Sequence, residues 1–304
     1  MIFERVVEAG SILAASRDLV MTQPAVSKSI HELEDQLGGA LFVRGKRGVV
    51  LTEFGRMFER HAKTMLGELR YLAENLNASQ SGAAGHVIIG TLITASATLL
   101  PEAIKRLRKA APDVVVTVRV GLNSMLFPAL ARGELDVVVG VLPDRFGAGL
   151  RDAEPSRLAH VPLYEESLRV VVGSEHPFAR RRKVTLAELH DFDWIVPTPD
   201  SVAYQSVRTF FDSVGLTLPK RVVESVSILT NLDLLASSPM VALMAHSAAE
   251  RFARTGLLAI LPLEGLGSFG AVGFTVRADR EPTAVTERFL EALRDAGRKL
   301  ERPS

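Results

Sequence analysis

From Phe3 to Leu76 the apolar positions recur with the period of a helix, interrupted between Gly38 and Gly48 by a stretch rich in Gly and Arg. A small-residue passage, Ser79 to Gly85, separates this part from a chain of different texture. There, short Val/Ile runs alternate with amphipathic stretches, the pattern of an α/β fold with a mostly parallel sheet. The spacing predicts strands at Val87-Ile88-Ile89, Val114–Val120 and Asp136–Val141, with helices over Leu99–Ala111 and Ser124–Arg132 between them. A second strand-rich region begins at Leu168 and includes Trp194–Val196, Val222-Val223, Met240–Met244 and Leu258–Leu263. The last elements are a strand, Val272–Arg277, and an amphipathic helix, Thr283–Leu300. The expected layout is two lobes between which the chain crosses and returns, so that the last helix packs on the first lobe.

Residues 11–37 hold the sharpest local pattern. Ser11 is placed to cap a short helix whose Ala15 and Leu19 face inward. Thr22 is placed to cap a second one, with Pro24 in its first turn, where a missing N–H costs nothing. Val26, Ile30, Leu33 and Leu37 make the apolar side of that second helix, leaving Gln23, Ser27, Lys28 and His31 on the other. Two short helices joined by a tight turn, the second with an exposed polar start, predict a helix-turn-helix. The residue types suit DNA, since Gln pairs with adenine edges, Lys with guanine, and Ser or Thr with phosphate.

The run from Leu41 to Thr52 predicts a short hairpin with Arg44, Lys46 and Arg47 crowded at its tip. A short basic run is commonly a solvated turn, but after a helix-turn-helix it makes a wing able to reach phosphates or a minor groove. A long helix follows from Thr52 to Leu76. Its Phe58, Ala62, Met65, Leu69, Leu72 and Leu76 form a heptad seam, expected to pair with a second copy. Dimerisation would present two recognition helices to one DNA.

Composition narrows the rest. The chain of 304 residues is 47% hydrophobic and 23% charged, which supports a full core and excludes a disordered chain. It has no cysteine, so thiol catalysis, Cys-ligated zinc and disulfide switches are excluded. The seven histidines show no metal-ligand spacing, and no nucleophile-base constellation occurs, so neither a metal, a cofactor nor an enzyme activity is expected. Gly265–Gly270 spells a dinucleotide fingerprint but leads into a strand instead of opening a helix. The opening MIFERVVEAGS has no secretory pattern and no apolar run is long enough for a membrane span, so the expected compartment is the cytoplasm. A net charge of +1 excludes a uniformly basic coat and leaves room for a local basic patch.

The run Gly10-Ser11 to Ala15, then Met21-Thr22-Gln23-Pro24-Ala25-Val26-Ser27-Lys28, Ile30, Leu33-Glu34, Leu37-Gly38, Leu41-Phe42, Arg44 and Leu51–Gly55 resembles the winged helix-turn-helix of the LysR-type transcriptional regulators. Leu99-Leu100-Pro101 and Gly133–Asp136 resemble that family's effector domain. The resemblance implies an α/β chain in three parts: a winged helix-turn-helix over 1–55, a linker helix and hinge over 56–85, and a two-lobed effector domain like a periplasmic binding protein over 86–304. Lobe I would take 86–165 and 268–304, and lobe II 166–267. It further implies Thr22, Gln23, Pro24, Ser27, Lys28, Arg44 and Arg47 as DNA contacts, to which the basic tip adds Lys46, with double-stranded operator DNA and RNA polymerase as partners, and a homodimer or homotetramer. Two departures stand out. Ser16 occupies the place of a usual alanine, and the first helix lacks several residues at its start, implying an upstream start codon or a weakened DNA-binding domain. The weakened case leaves an alternative, a cytoplasmic solute-binding or sensor protein.

In a two-lobed α/β module ligands sit where strands end and helices begin. The hydroxyl-rich segment Thr91–Thr98 follows the first strand of lobe I, and Pro197–Ser201 follows a strand of lobe II. Each of these polar groups could be a helix cap. The resemblance favours Thr94 and Ser96 as effector contacts, with Thr198, Ser201 and Asn123 as further candidates. Val141-Leu142 stand where some relatives carry an arginine, which argues against a strongly acidic ligand gripped there. The closing segment Gly273–Arg277 resembles the branch that includes regulators of sugar uptake and aromatic-acid catabolism, so a sugar, an aromatic acid or another metabolite is expected.

Overall fold

Capping sets the first three helices, α1 (Ile2–Ala9), α2 (Ile12–Asp18) and α3 (Gln23–Leu37). In this computed structural model, which describes residues 2–45, 48–81, 85–143, 157–263 and 268–301, the Ser11 side chain accepts the Ala14 N–H and Thr22 accepts the Ala25 N–H. The side chains of Arg44, 77–81, Thr94, Val202, Ser213, Ser268 and Phe269 are outside that description. Gly38, at φ 72°, ends α3 in the left-handed region that glycine enters without strain. Phe3, Val6, Ala15, Val26, Ile30, Leu41 and Phe42 form the buried core, with Leu19 and Leu33 packed against it. Leu37, expected inside, lies at the rim because it ends the helix beyond the last core contact. Ser16 is buried, and its hydroxyl donates to the Leu13 carbonyl at 2.8 Å, so the polar group is satisfied.

β1 (Phe42–Gly45) and β2 (Gly48–Leu51) pair antiparallel, with Gly45 opposite Gly48. The Val49 N–H donates to the Gly10 carbonyl at 2.9 Å, anchoring the hairpin on the turn between α1 and α2. Gly48 sits at φ 130°, and a Cβ there would lie 2.2 Å from the Gly10 oxygen, so only glycine fits. α4 (Glu53–Ser81) follows, its start tied by the Thr52 hydroxyl, which accepts the Gly55 N–H and donates to the Ala40 carbonyl. The chain divides into two compact units, Met1–Tyr71 and Leu72–Ser304.

The second unit opens with β3 (His86–Thr91), α5 (Ile93–Ser96), α6 (Leu99–Ala110), β4 (Val115–Val120), α7 (Asn123–Ala131) and β5 (Val137–Val141). It continues through β6 (Leu158–Gly173), α8 (Leu186–Leu189), β7 (Trp194–Val196), α9 (Val202–Ser213), β8 (Val222–Glu224) and α10 (Ile228–Ser237). β9 (Val241–Ala245), α11 (His246–Arg254), β10 (Leu258–Ile260), β11 (Ser268–Arg277) and α12 (Ala284–Glu301) complete it. The strand order is β4-β3-β5-β11-β6-β9-β7-β8, with β10 also on β6. β6 begins at Leu158, not at Leu168 as the sequence suggested, because its first half pairs with β11 in lobe I before its second half pairs with β9 in lobe II. Phe289, Leu290, Leu293 and Ala296 of α12 share a core with Val87, Ile89 and Leu107, so the last helix does return to the first lobe.

Candidate DNA interface and effector cleft

On α3 the buried Val26 and Ile30 lie opposite an exposed face carrying Gln23, Pro24, Lys28 and His31. Thr22 is also exposed, and Ser27 is half-buried at the edge. Lys28 Nζ lies 3.7 Å from Glu32 Oε1 and His31 Nε2 lies 3.9 Å from Asp35, both one turn along the helix. Exposed pairs of this kind are weak and exchange readily for a phosphate or a base edge. Lys46, Arg47 and the Arg44 side chain lie outside the described residues; the backbone places Arg44 at the last but one position of β1.

Sequence reasoning gave Glu34 no role. Its Oε1 accepts the backbone N–H groups of Leu41 at 2.7 Å and Phe42 at 3.2 Å, which ties the recognition helix to the root of the wing. Phe58 also departs from the expectation. It packs in the winged-helix core, its ring 4.9 Å from that of Phe3 in an edge-to-face contact, because the first turns of α4 cover that core. Further along, Ala62 is half-buried, while Met65, Leu69, Leu72 and Leu76 are 68%, 60%, 52% and 56% exposed in the single chain.

The cleft of the second unit follows from strand register alone. β5 ends at Val141, level with Val272 of β11 and through it with Tyr164 of β6. β3 is parallel to β5 and ends beside it. β6 continues into lobe II, where β9 pairs antiparallel to it and ends at Ala245, opposite Leu168. β7 is parallel to β9, and β8 to β7, so all three end facing back toward lobe I. The carboxyl ends of both sets of parallel strands therefore face one level of β6, residues 164–168, the place where open α/β sheets bind ligands.

Ser96 follows β3, Asn123 follows β4, and Thr198 and Ser201 follow β7. The Ser96 hydroxyl donates to the Ile93 carbonyl at 2.6 Å and the Ser201 hydroxyl to the Thr198 carbonyl at 2.7 Å. Asn123 opens α7, and its Oδ1 is buried without a hydrogen-bond partner. Thr94 lies in α5, with its side chain outside the description.

At the base of the cleft is a residue that no local motif announced. Glu166 is only 4% exposed, and its carboxylate accepts the Ser247 hydroxyl at 2.6 Å, the Ser247 N–H at 3.3 Å and the Ser167 N–H at 3.1 Å. Ser247 stands in the first turn of α11 in lobe II, and its hydroxyl lies 3.3 Å from that of Thr98, the residue just before α6 in lobe I. Burial, and next to it the Glu166 charge, push the neighbouring Tyr164 phenol above its ordinary range, against hydrogen bonds from Ser247 and Thr98.

Two family models match: bacterial regulatory helix-turn-helix protein, lysR family, over residues 1–56, and LysR substrate binding domain over residues 80–298. The HTH-type transcriptional regulator PcaQ of Agrobacterium fabrum is 32% identical over 302 residues, covering 98% of this chain and 94% of that one. GbpR of Azospirillum brasilense, also an HTH-type transcriptional regulator, is 32% identical over 295 residues, covering 95% and 84%. Among solved structures, the LysR family regulator CbnR in complex with its target DNA has a TM-score of 0.72 at 21% identity, covering 97% of each chain, which shows the shared fold. The chain belongs to the LysR-type transcriptional regulators, DNA-binding proteins that respond to an effector held in a substrate-binding domain.

Proposed function

We propose that the polar face of α3 reads a partly palindromic operator, with Gln23 and Lys28 on base edges and Thr22, Pro24 and Ser27 along the backbone. Arg44, Lys46 and Arg47 of the wing take the flanking phosphates. The observation that supports this most is the division of α3 into a buried side, Val26 and Ile30, and an exposed side where all the candidate readers stand. Residues 1–55 act as the DNA-binding domain, 56–85 as linker and dimerisation helix, and 86–304 as effector domain. The protein works in the cytoplasm as a homodimer or a dimer of dimers, by binding alone and in contact with RNA polymerase. Its effector enters between Thr94, Ser96 and Asn123 on one side and Thr198 and Ser201 on the other. A difference of about 1–3 kcal/mol in effector affinity between two arrangements suffices to switch the DNA contacts.

The test is retention of DNA from the protein's own promoter region across a salt series. Wild type should bind with a steep negative salt slope. Lys28→Ala should weaken binding and reduce that slope by about 1, and Gln23→Ala should cost about 1–3 kcal/mol of discrimination at one base pair. Wild-type affinity and slope in both variants would remove α3 from the interface.

A further inference from the structure

We infer that the effector is an uncharged, polyhydroxylated molecule, a sugar or sugar alcohol, and that carboxylates are excluded from the cleft. This rests on the effector cleft proposed above and names what it accepts.

The cleft offers lone pairs. The Ser96 and Ser201 hydroxyl protons are committed to the Ile93 and Thr198 carbonyls, so toward a ligand each of these two oxygens offers lone pairs. Asn123 Oδ1 is a buried acceptor without a partner among the described residues, which costs free energy until a donor arrives. Donors are also present, as backbone N–H groups at the starts of α7 and α9, where no side chain caps the helix. A hydroxyl both donates and accepts, so a polyol satisfies both sets. A carboxylate satisfies the N–H groups alone and sets its lone pairs against those of the side chains.

Charge points the same way. Segments 91–98, 121–125, 139–143 and 196–201 contain no Lys, Arg or His and carry Asp200. Among the described residues, the basic side chains next to this level on β6 and α11 are engaged close by, His246 Nε2 3.4 Å from Glu250 and Arg169 donating to the Leu168 carbonyl at 2.9 Å. The start of α11, which would receive an anion in such a cleft, holds the carboxylate of Glu166. An acidic ligand would enter beside a buried negative charge, and like charges brought together in this way repel.

The experiment compares matched pairs by thermal shift and calorimetry on the full chain: D-galactose with D-galacturonate, D-glucose with D-gluconate, and D-mannitol alone, with D-glucosamine and putrescine as amine controls. The expected result is stabilisation by at least one neutral compound, with its acid partner at least about tenfold weaker, or about 1.4 kcal/mol. Glu166→Gln should narrow that gap, and Asn123→Ala should weaken the neutral compound while leaving the unliganded melting temperature unchanged or higher. An acid that binds as well as its neutral partner, a response confined to the amines, or no response to any neutral compound overturns the inference. DNA retention by the unliganded wild type, measured in parallel, tests the regulator reading separately.

Discussion

Glu34 Oε1 accepts the Leu41 N–H at 2.7 Å, so the helix that presents the reading face also fixes the first residue of the core leading into the wing. The same oxygen takes the Phe42 N–H. Hydrogen bonds to a charged acceptor contribute about 1.5–3 kcal/mol each when desolvated, and this pair is partly exposed. Glu34→Ala should therefore destabilise the first compact unit by about 1–3 kcal/mol. It should also weaken operator binding, because the carboxylate holds the root of the wing. Glu34→Gln, which keeps an acceptor oxygen, should recover most of both. Urea unfolding together with gel retention checks this, and an unaffected alanine variant would show that the wing is positioned without it.

The turn between α2 and α3 passes through Val20 at φ 54°, a left-handed conformation that costs an L-residue roughly 1–2 kcal/mol and suits a β-branched one poorly. Val20 is 93% exposed, so its side chain returns almost nothing by burial. Val20→Asn should raise the stability of the first unit by about 1 kcal/mol, since Asn tolerates this region best among residues with a side chain. The measurement is the denaturant midpoint. Equal or lower stability would mean that the turn carries no strain, and a loss of DNA affinity at higher stability would mark Val20 as a DNA contact.

Met65, Leu69, Leu72 and Leu76 follow one another at heptad spacing on a face that the single chain leaves exposed. A paired helix would bury them, and a charge placed in such a seam is not tolerated. If the seam pairs two copies as proposed, Leu69→Glu should leave a monomer near 33.0 kDa in light scattering where the wild type is larger, with each unit folded as before. Operator affinity should fall by about tenfold or more, since two linked reading heads bind far better than one. An unchanged mass would transfer dimerisation to another surface.

How much of this was open to sequence reasoning differed by element. α3 was legible because Thr22, Pro24, the Val26/Ile30 period and Gly38 all act within a few residues of one another. The first half of β6 was not. Pro162 lies beside a register shift at Val272/Gly273, and an acid pair follows at 165 and 166, so local propensity argues against a strand that pairs with β11, about a hundred residues later. Glu166 was silent for the same reason, since Ser247 stands 81 residues away. The heptad pattern marks an apolar face on α4, but period alone does not say what covers a face. Phe58 meets Phe3 of its own chain.

Acid should loosen the second unit through two histidines. Burial holds both His160 and His176 below the ordinary imidazole value of 6.5, in His176 against a backbone hydrogen bond with Pro239 that acts the other way. His176 Nδ1 accepts the Phe178 N–H at 3.0 Å, a bond the protonated ring cannot accept on that nitrogen. With a depressed folded value, the unfolded chain binds more protons between that value and 6.5, so stability is fully present above 6.5 and is lost as pH falls toward the folded value. His176→Asn places an amide oxygen where Nδ1 accepts and removes the titration, so it should flatten the stability profile between pH 7 and 5 and leave stability near neutrality within about 1 kcal/mol. Unfolding midpoints measured across that range decide the matter: a wild-type profile that stays flat, or an Asn variant as acid-sensitive as the wild type, would free His176 of this role.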